Sequence, residues 1–287
     1  MSSRDGIYDV NPVVKEMVRF VLNLRQRVYV PAGRLAGLID FPVPPNSSMR
    51  KTGSKTLRHY YVSGVACYMP IATMALQQGV RLRSKINILD FGCGVGRQLL
   101  HFTRNFPAPS YFACDVDHTL VDFIARSFPA VQSRVNKFDP PLPFDAESMD
   151  MIYSVSTFSH INPEHQGEWL RELYRVTRPG GFCFLTTEGW TAFEVLRGMF
   201  PSEAATAELR SKGILYKEYD FFQPVKNSKS LSPVLSTLVG IDKSYGATVM
   251  TPEFIRENWT RAGFEVAAII EGIIDCRQDL IVLHKPA

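Results

Sequence analysis

The stretch that most limits what this chain can fold into is Ile86-Asn87-Ile88-Leu89-Asp90-Phe91-Gly92-Cys93-Gly94-Val95-Gly96-Arg97. Alternating apolar residues run into an acid. Three glycines follow at every second position, and a helix-like segment comes next. The pattern reads as a buried parallel strand, a tight turn and a helix start. A residue without Cβ can take unusual φ values and lets a ligand approach the backbone closely. Such a turn lies at the carboxyl end of its strand, where open α/β sheets bind their ligands.

Two ligand classes compete for a turn of this kind. A dinucleotide fingerprint requires Gly-x-Gly-x-x-Gly. Here Gly96 arrives one residue early, and Arg97 stands where the last glycine belongs. Asp90, two positions before Gly92, would repel a pyrophosphate but suits a cation. From Asp90 to Gly96 the chain resembles, at every specified position, the Asp/Glu-x-Gly-x-Gly-x-Gly motif of the class I S-adenosylmethionine (SAM)-dependent methyltransferases. SAM carries a sulfonium, an ammonium, a carboxylate and a ribose diol, and no phosphate. The resemblance implies an α/β fold with a doubly wound, seven-stranded, mostly parallel sheet whose last strand is reversed. It also implies SAM as cofactor and S-adenosylhomocysteine as product.

The downstream order of motifs supports this. Tyr111–Asp115 reads as a second strand ending in an acid, 19 residues past Gly96. A carboxylate at that tip accepts hydrogen bonds from both ribose hydroxyls. Asp117 suits the cap of the helix that follows, which leaves Asp115 for the ribose. Val131–Lys137 is a third strand. The prolines of Asn136–Phe144 bar strand or helix interior. Met149–Val155 is the fourth strand and continues into Ile161. Asn162-Pro163 restarts a helix with Trp169, Leu170, Leu173 and Val176 as its apolar stripe. Arg178-Pro179-Gly180-Gly181 ends that helix, and Phe182–Thr187 is the fifth strand. The resemblance therefore covers about 86–188. It implies cofactor contacts from Asp90, Gly92, Cys93, Gly94, Gly96, Asp115 and Val116. It places Asn136 or Asp139 at the adenine amino group and Ser154 beside the sulfonium methyl, and it brings Tyr60 over the cofactor from the N-terminal segment. The wording around Pro140–Phe144 and Tyr153–His160 is similar to bacterial members that act on small molecules or glycans.

At 287 residues the chain can form one large domain or a domain plus a lobe. We expect an N-terminal helical cover over 1–80 and the methyltransferase domain over 81–287. Asn11-Pro12 looks like a helix start, and Val14, Met17, Val21, Leu24 and Val28 then repeat at helical spacing. Residues 31–53 read as a long loop. Residues 1–60 hold ten Lys/Arg and four Asp/Glu, a balance of +6 within a total of +4. This is either a solvated basic edge or a clamp on an anionic substrate group.

Between Glu188 and Thr251 the chain departs from a minimal domain. Residues 190–213 look helical and 214–250 irregular. Trp190, Phe193, Phe200, Tyr216, Tyr219, Phe221, Phe222 and Tyr245 make this insertion aromatic. It suits a lid or acceptor pocket over the active face, a satellite core, or a homodimer contact. Thr251-Pro252-Glu253 caps a last helix. Phe264–Glu271 and Asp279–His284 are joined closely enough to pair antiparallel. No apolar run is long enough to span a membrane, and the first residues do not form a signal peptide pattern. The five cysteines are scattered without Cys-x-x-Cys, which argues against a disulfide framework or a metal site and for a cytoplasmic protein.

Methyl transfer is an in-line displacement, so alignment supplies much of the rate. An alcohol or amine acceptor also needs a base. Candidates stand at strand tips on the cofactor face: His160 after the fourth strand, then Glu188 after the fifth, with His165 and His59 behind them. An imidazole can take a proton at neutral pH. The expected acceptor is a small molecule such as a natural product, a sugar or a glycan or lipid precursor. O-methylation is favoured over N- and C-methylation, because a histidine base suits a hydroxyl. An RNA acceptor is the alternative. It is disfavoured because Ser154-Val155-Ser156-Thr157 stands where base-modifying sites carry Asn/Asp-Pro-Pro-Tyr/Phe. A non-catalytic SAM-binding partner protein is the third reading.

Overall fold

The computed structural model describes residues 39–54, 56–195, 203–218 and 246–287. Two compact units divide at Tyr60/Tyr61. The amphipathic segment expected from Asn11 onward lies outside the described residues. In the first unit, a short helix α1 (Asn46–Lys51) follows Pro45. It occupies part of the span read as loop. Proline at the N-cap and buried Ser48 and Met49 give a single helical turn a start and an anchor, too short a signal to show as periodicity. Helix α2 (Leu57–Gln77) begins in the first unit and continues into the second.

The second unit is built on a nine-stranded sheet among the described residues. Its parallel centre is β1 (Asn87–Phe91), β2 (Ser110–Asp115), β3 (Val131–Val135), β4 (Met149–Ser154) and β5 (Thr177–Glu188). These strands lie in the order β3-β2-β1-β4-β5, all pairs parallel. The C-terminal β8 (Glu265–Ile274) and β9 (Gln278–His284) complete it. Strand β9 runs antiparallel to both β5 and β8, which is the reversed last strand. The doubly wound centre thus has the seven strands expected, and the insertion adds two. Strand β6 (Ile214–Glu218) pairs antiparallel with β7 (Gly246–Met250), and β7 meets the tip of β5 at Glu188↔Val249. These residues were read as irregular. Five-residue segments without polar alternation carry little period-2 signal, and burial of the whole of β7 decides their state.

Helices α3 (Arg97–Asn105) and α4 (His118–Ser127) follow β1 and β2. Helix α5 (Pro163–Val176) joins β4 to β5, and α8 (Pro252–Asn258) with a 3-10 turn (Trp259–Ala262) precedes β8. Their starts are chemically fixed. The side chains of Asp117, Asn162 and Thr251 accept from the N–H of Thr119, His165 and Phe254, each cap being worth about 1 kcal/mol. Strand β5 begins at once after α5, at Thr177, so the Pro-Gly-Gly segment is its first part and not a separate stop.

The core on the α5/α8 side of the sheet gathers Leu89, Phe91, Ile152, Trp169, Leu173, Leu185, Trp259 and Ile281 among others. On the other side Tyr153 stacks on Phe102 of α3, with ring centroids 4.6 Å apart. Gly64 of α2 lets that helix sit directly on α3, because a Cβ there would stand 2.6 Å from the Arg97 carbonyl oxygen. Part of the insertion makes its own small core. Helices α6 (Trp190–Val195) and α7 (Glu203–Lys212) bring Phe193 and Leu209 against Leu215, Ala247 and Val249. Phe200, Tyr219, Phe221, Phe222 and Tyr245 lie outside the described residues.

Candidate active site

The glycine turn is held to the tip of β2 by backbone bonds. The N–H groups of Gly92 and Cys93 both donate to the Cys114 carbonyl oxygen at 2.9 Å. Gly92 has φ 75°, and a Cβ there would lie 2.4 Å from Thr157 Oγ1, so only glycine fits. Gly96 caps α3 from the left-handed region, packed against Ile124 and Phe128 of α4. Gly94 N–H donates to Asp115 Oδ2 at 2.9 Å, and Asp117 N–H to Oδ1 at 3.0 Å. Burial raises the Asp115 proton affinity, and these two N–H groups oppose that. A carboxylate has about four acceptor sites, so each oxygen keeps capacity for one more donor, as a diol requires.

Beside it, the Val116 side chain is 40 % exposed at the strand tip, an apolar surface in reach of a flat ring. Asn136 N–H donates to the Asp115 carbonyl oxygen, and its side-chain Nδ2 to that of Lys137. Asn136 Oδ1 is buried without a donor. A buried acceptor lacking a partner is costly, and an exocyclic amino group would satisfy it. The tips of β1, β2 and β3 thus fit a nucleoside through a diol, a ring face and an amino group. Asp139 points elsewhere. It is exposed, 3.8 Å from His165 Nε2, and lines a groove with Glu168 and Arg171.

Asp90 sits under the turn on the α3 side. It is buried and accepts from Tyr153 Oη at 3.0 Å. Burial drives its pKa up to about 7, against the Tyr153 bond. Cys93 is buried, and its thiol is pushed well up by burial. Ser154 donates Oγ to the Phe91 carbonyl oxygen at 2.8 Å and so staples β4 to β1. Tyr60 is buried in the first unit and stacks on Phe41 at 6.3 Å.

The tips of β4, β5 and β9 form a second polar group. His160 Nδ1 is 3.0 Å from the Gly246 carbonyl oxygen. A carbonyl only accepts, so the neutral ring carries its proton on Nδ1 and its lone pair on Nε2. Burial lowers the His160 pKa, the Gly246 bond opposes this, and the charge of Arg277 lowers it further. Glu188 is paired with Arg277 at 2.8 Å. Burial raises its pKa and Arg277 lowers it. Ser156, at φ 60°, donates its N–H to Thr186 Oγ1 at 2.8 Å. The Ser156 and Thr186 hydroxyls both donate to Gln278 Oε1, at 3.1 and 2.9 Å. Of the secondary candidates, His165 is held by Asn162 at 2.8 Å.

Sequence reasoning missed Arg277, Gln278, Thr186 and Gly246. The signal for the first two was present. A reversed last strand that starts where β5 ends must place its first residues at the β5 tip, and the register confirms this with Glu188↔Gln278.

The geometry is that of an open α/β sheet whose β1–β3 tips fit a nucleoside, with a second polar group beside them. Residues 88–181 match a family model described as a methyltransferase domain. A tRNA N(3)-cytidine methyltransferase METTL2 from Gallus gallus is 30 % identical over 111 residues, covering 36 % of this chain and 30 % of that protein. A phthiotriol/phenolphthiotriol dimycocerosates methyltransferase from Mycobacterium ulcerans is 32 % identical over 101 residues, 34 % of this chain and 36 % of that one. The chain thus spans about a third of the length of these relatives. In three dimensions, a SAM-dependent methyltransferase from Methanosarcina mazei aligns with TM-score 0.50 and 16 % identity over 76 % of this chain and 97 % of that one. Residues 88–181 thus form a methyltransferase domain, on a fold shared with a SAM-dependent methyltransferase.

Proposed function

We propose that this protein transfers a methyl group from SAM to a hydroxyl of a small-molecule acceptor, with His160 as the base. The observation that carries the reading is the fixed tautomer of His160. Its Nδ1–H is committed to the Gly246 carbonyl oxygen, and its lowered pKa keeps the ring neutral at physiological pH. A neutral imidazole in the segment after β4 suits proton removal from a hydroxyl. SAM supplies the electrophilic methyl group when bound. Asp115, Val116 and Asn136 hold its nucleoside, and the turn from Gly92 to Gly96 lets the backbone approach. Asp90, below that turn, is a buried carboxyl that a cationic ligand would draw into its charged form. Residues of the 190–250 insertion border the acceptor.

A second reading, an RNA acceptor, is favoured by the tRNA methyltransferase relative. That match covers 36 % of this chain and 30 % of the relative, too little to carry over its acceptor. One assay separates the two. S-adenosylhomocysteine release is followed with a panel of hydroxylated small molecules and with bulk tRNA. Our reading expects turnover on small hydroxyl compounds, reduced about 10²-fold or more by His160→Asn with S-adenosylhomocysteine affinity unchanged. Turnover on tRNA alone, with binding that falls steeply with salt, contradicts it.

A further inference from the structure

The acceptor corner holds a cation that the methyl-transfer chemistry does not require. Arg277 follows a hairpin turn in which Asp275 and Cys276 have φ 52° and 53°, closed by Arg277 N–H to the Ile274 carbonyl oxygen at 3.0 Å. Two consecutive positive φ values define the twisted turn that hairpins favour, usually built from glycine or asparagine. A cysteine in this conformation is strained. With Ser156 at φ 60°, three of the four non-glycine residues at positive φ among the described residues border this corner. Strain gathers where surrounding structure holds a side chain for a purpose.

The guanidinium so placed is 42 % exposed, while its partner Glu188 is 6 % exposed. One carboxylate uses at most two of its five N–H donors. Gln278 stands beside Glu188. Its Oε1 is taken by two hydroxyls, and its side-chain amide favours the charged form of Glu188. With that amide beside it, Glu188 does not depend on Arg277 alone, and one ion pair leaves the guanidinium donors to spare. The corner is therefore rich in donors and has an open cation next to His160.

We propose that Arg277 is the recognition residue for an anionic group, a carboxylate or a phosphate, carried by the acceptor near the hydroxyl presented to His160. The assignment rests on the methyltransferase reading above and adds the acceptor's charge to it. A planar fork binds such groups bidentately, with Glu188 holding the fork in place.

The test uses the full chain saturated with S-adenosylhomocysteine, whose binding is measured first. Inorganic phosphate and benzoate are then titrated separately, and the His160 ring signals are followed by NMR. We expect a saturable shift with at least one probe, and a raised His160 pKa in the bound form. The tighter probe names the anion class. Arg277→Gln should weaken the response about tenfold or more and raise the His160 pKa even without anion. Arg277→Lys, which keeps the charge but loses the fork, should fall between. An equal response in Arg277→Gln, or no saturable shift with either probe at millimolar concentration, overturns the assignment. Failure of S-adenosylhomocysteine to bind is a separate result. It strikes the cofactor reading, while the anion titration still reads the corner.

Discussion

At the scale of single residues, two carboxylates with different surroundings divide the work of the turn. Asp115 is satisfied by two backbone N–H groups and keeps acceptor capacity. Removing it as Asp115→Ala should weaken S-adenosylhomocysteine binding by about 1.5–3 kcal/mol, the worth of hydrogen bonds to a charged group, measured by calorimetry. Asp90 is different. Its pKa is raised from 3.8 to about 7, so the folded chain holds a proton that the unfolded chain has lost between those values. The linked stability is full below 3.8 and is lost as pH rises through about 7. Asp90→Asn, neutral at every pH, should therefore gain stability relative to the parent chain as pH increases across that window. Denaturant melts at a series of pH values check this, and a gap that shrinks with rising pH would refute it. Gly92→Ala meets both a positive φ and the Thr157 hydroxyl. It should cost about 1–3 kcal/mol, seen as a lowered melting temperature, and abolish cofactor binding.

At the scale of elements, the site depends on how helices and hairpins reach the strand tips. Helix α2 lies on α3 through Gly64, with Arg97 Nη1 donating to Ser63 Oγ at 3.2 Å. Gly64→Ala would set a methyl against the Arg97 carbonyl oxygen and push α2 away. We expect a loss of about 1–3 kcal/mol from overpacking, with weaker S-adenosylhomocysteine binding because Arg97 begins the helix after the turn. Thermal melts with and without ligand read both effects. The same scale shows what the sequence could and could not say. Strand β1, its turn and the acid at the end of β2 were legible because spacing alone fixes a strand–turn–helix unit and a carboxylate at a tip. Caps at Asp117, Asn162 and Thr251 were legible because their chemistry is local. The burial of Asp90 against Tyr153 was not, because it depends on register across β1 and β4. Nor were β6 and β7, whose pairing is decided by contacts between segments far apart in the chain. The same holds for Glu188: its position at the β5 tip followed from the sequence, but its ion pair comes from a hairpin 89 residues on.

At the scale of the whole molecule, the second unit keeps its two polar centres at one edge of one sheet. The proposed nucleoside centre is formed by the tips of β1, β2 and β3, and the proposed acceptor corner by residues at the ends of β4, β5 and β9. Strand β4, stapled to β1 through Ser154, holds the two in fixed relation. Among the described residues no helix is long and apolar enough to cross a membrane. The account stands on the first centre taking a sulfonium nucleoside and not a dinucleotide. Calorimetric titration of the full chain with S-adenosylhomocysteine and, in parallel, with NAD tests this directly. Saturable one-to-one binding of S-adenosylhomocysteine, lost in Asp115→Ala, with no heat from NAD, is the predicted result. Tight binding of NAD with no uptake of S-adenosylhomocysteine would contradict it.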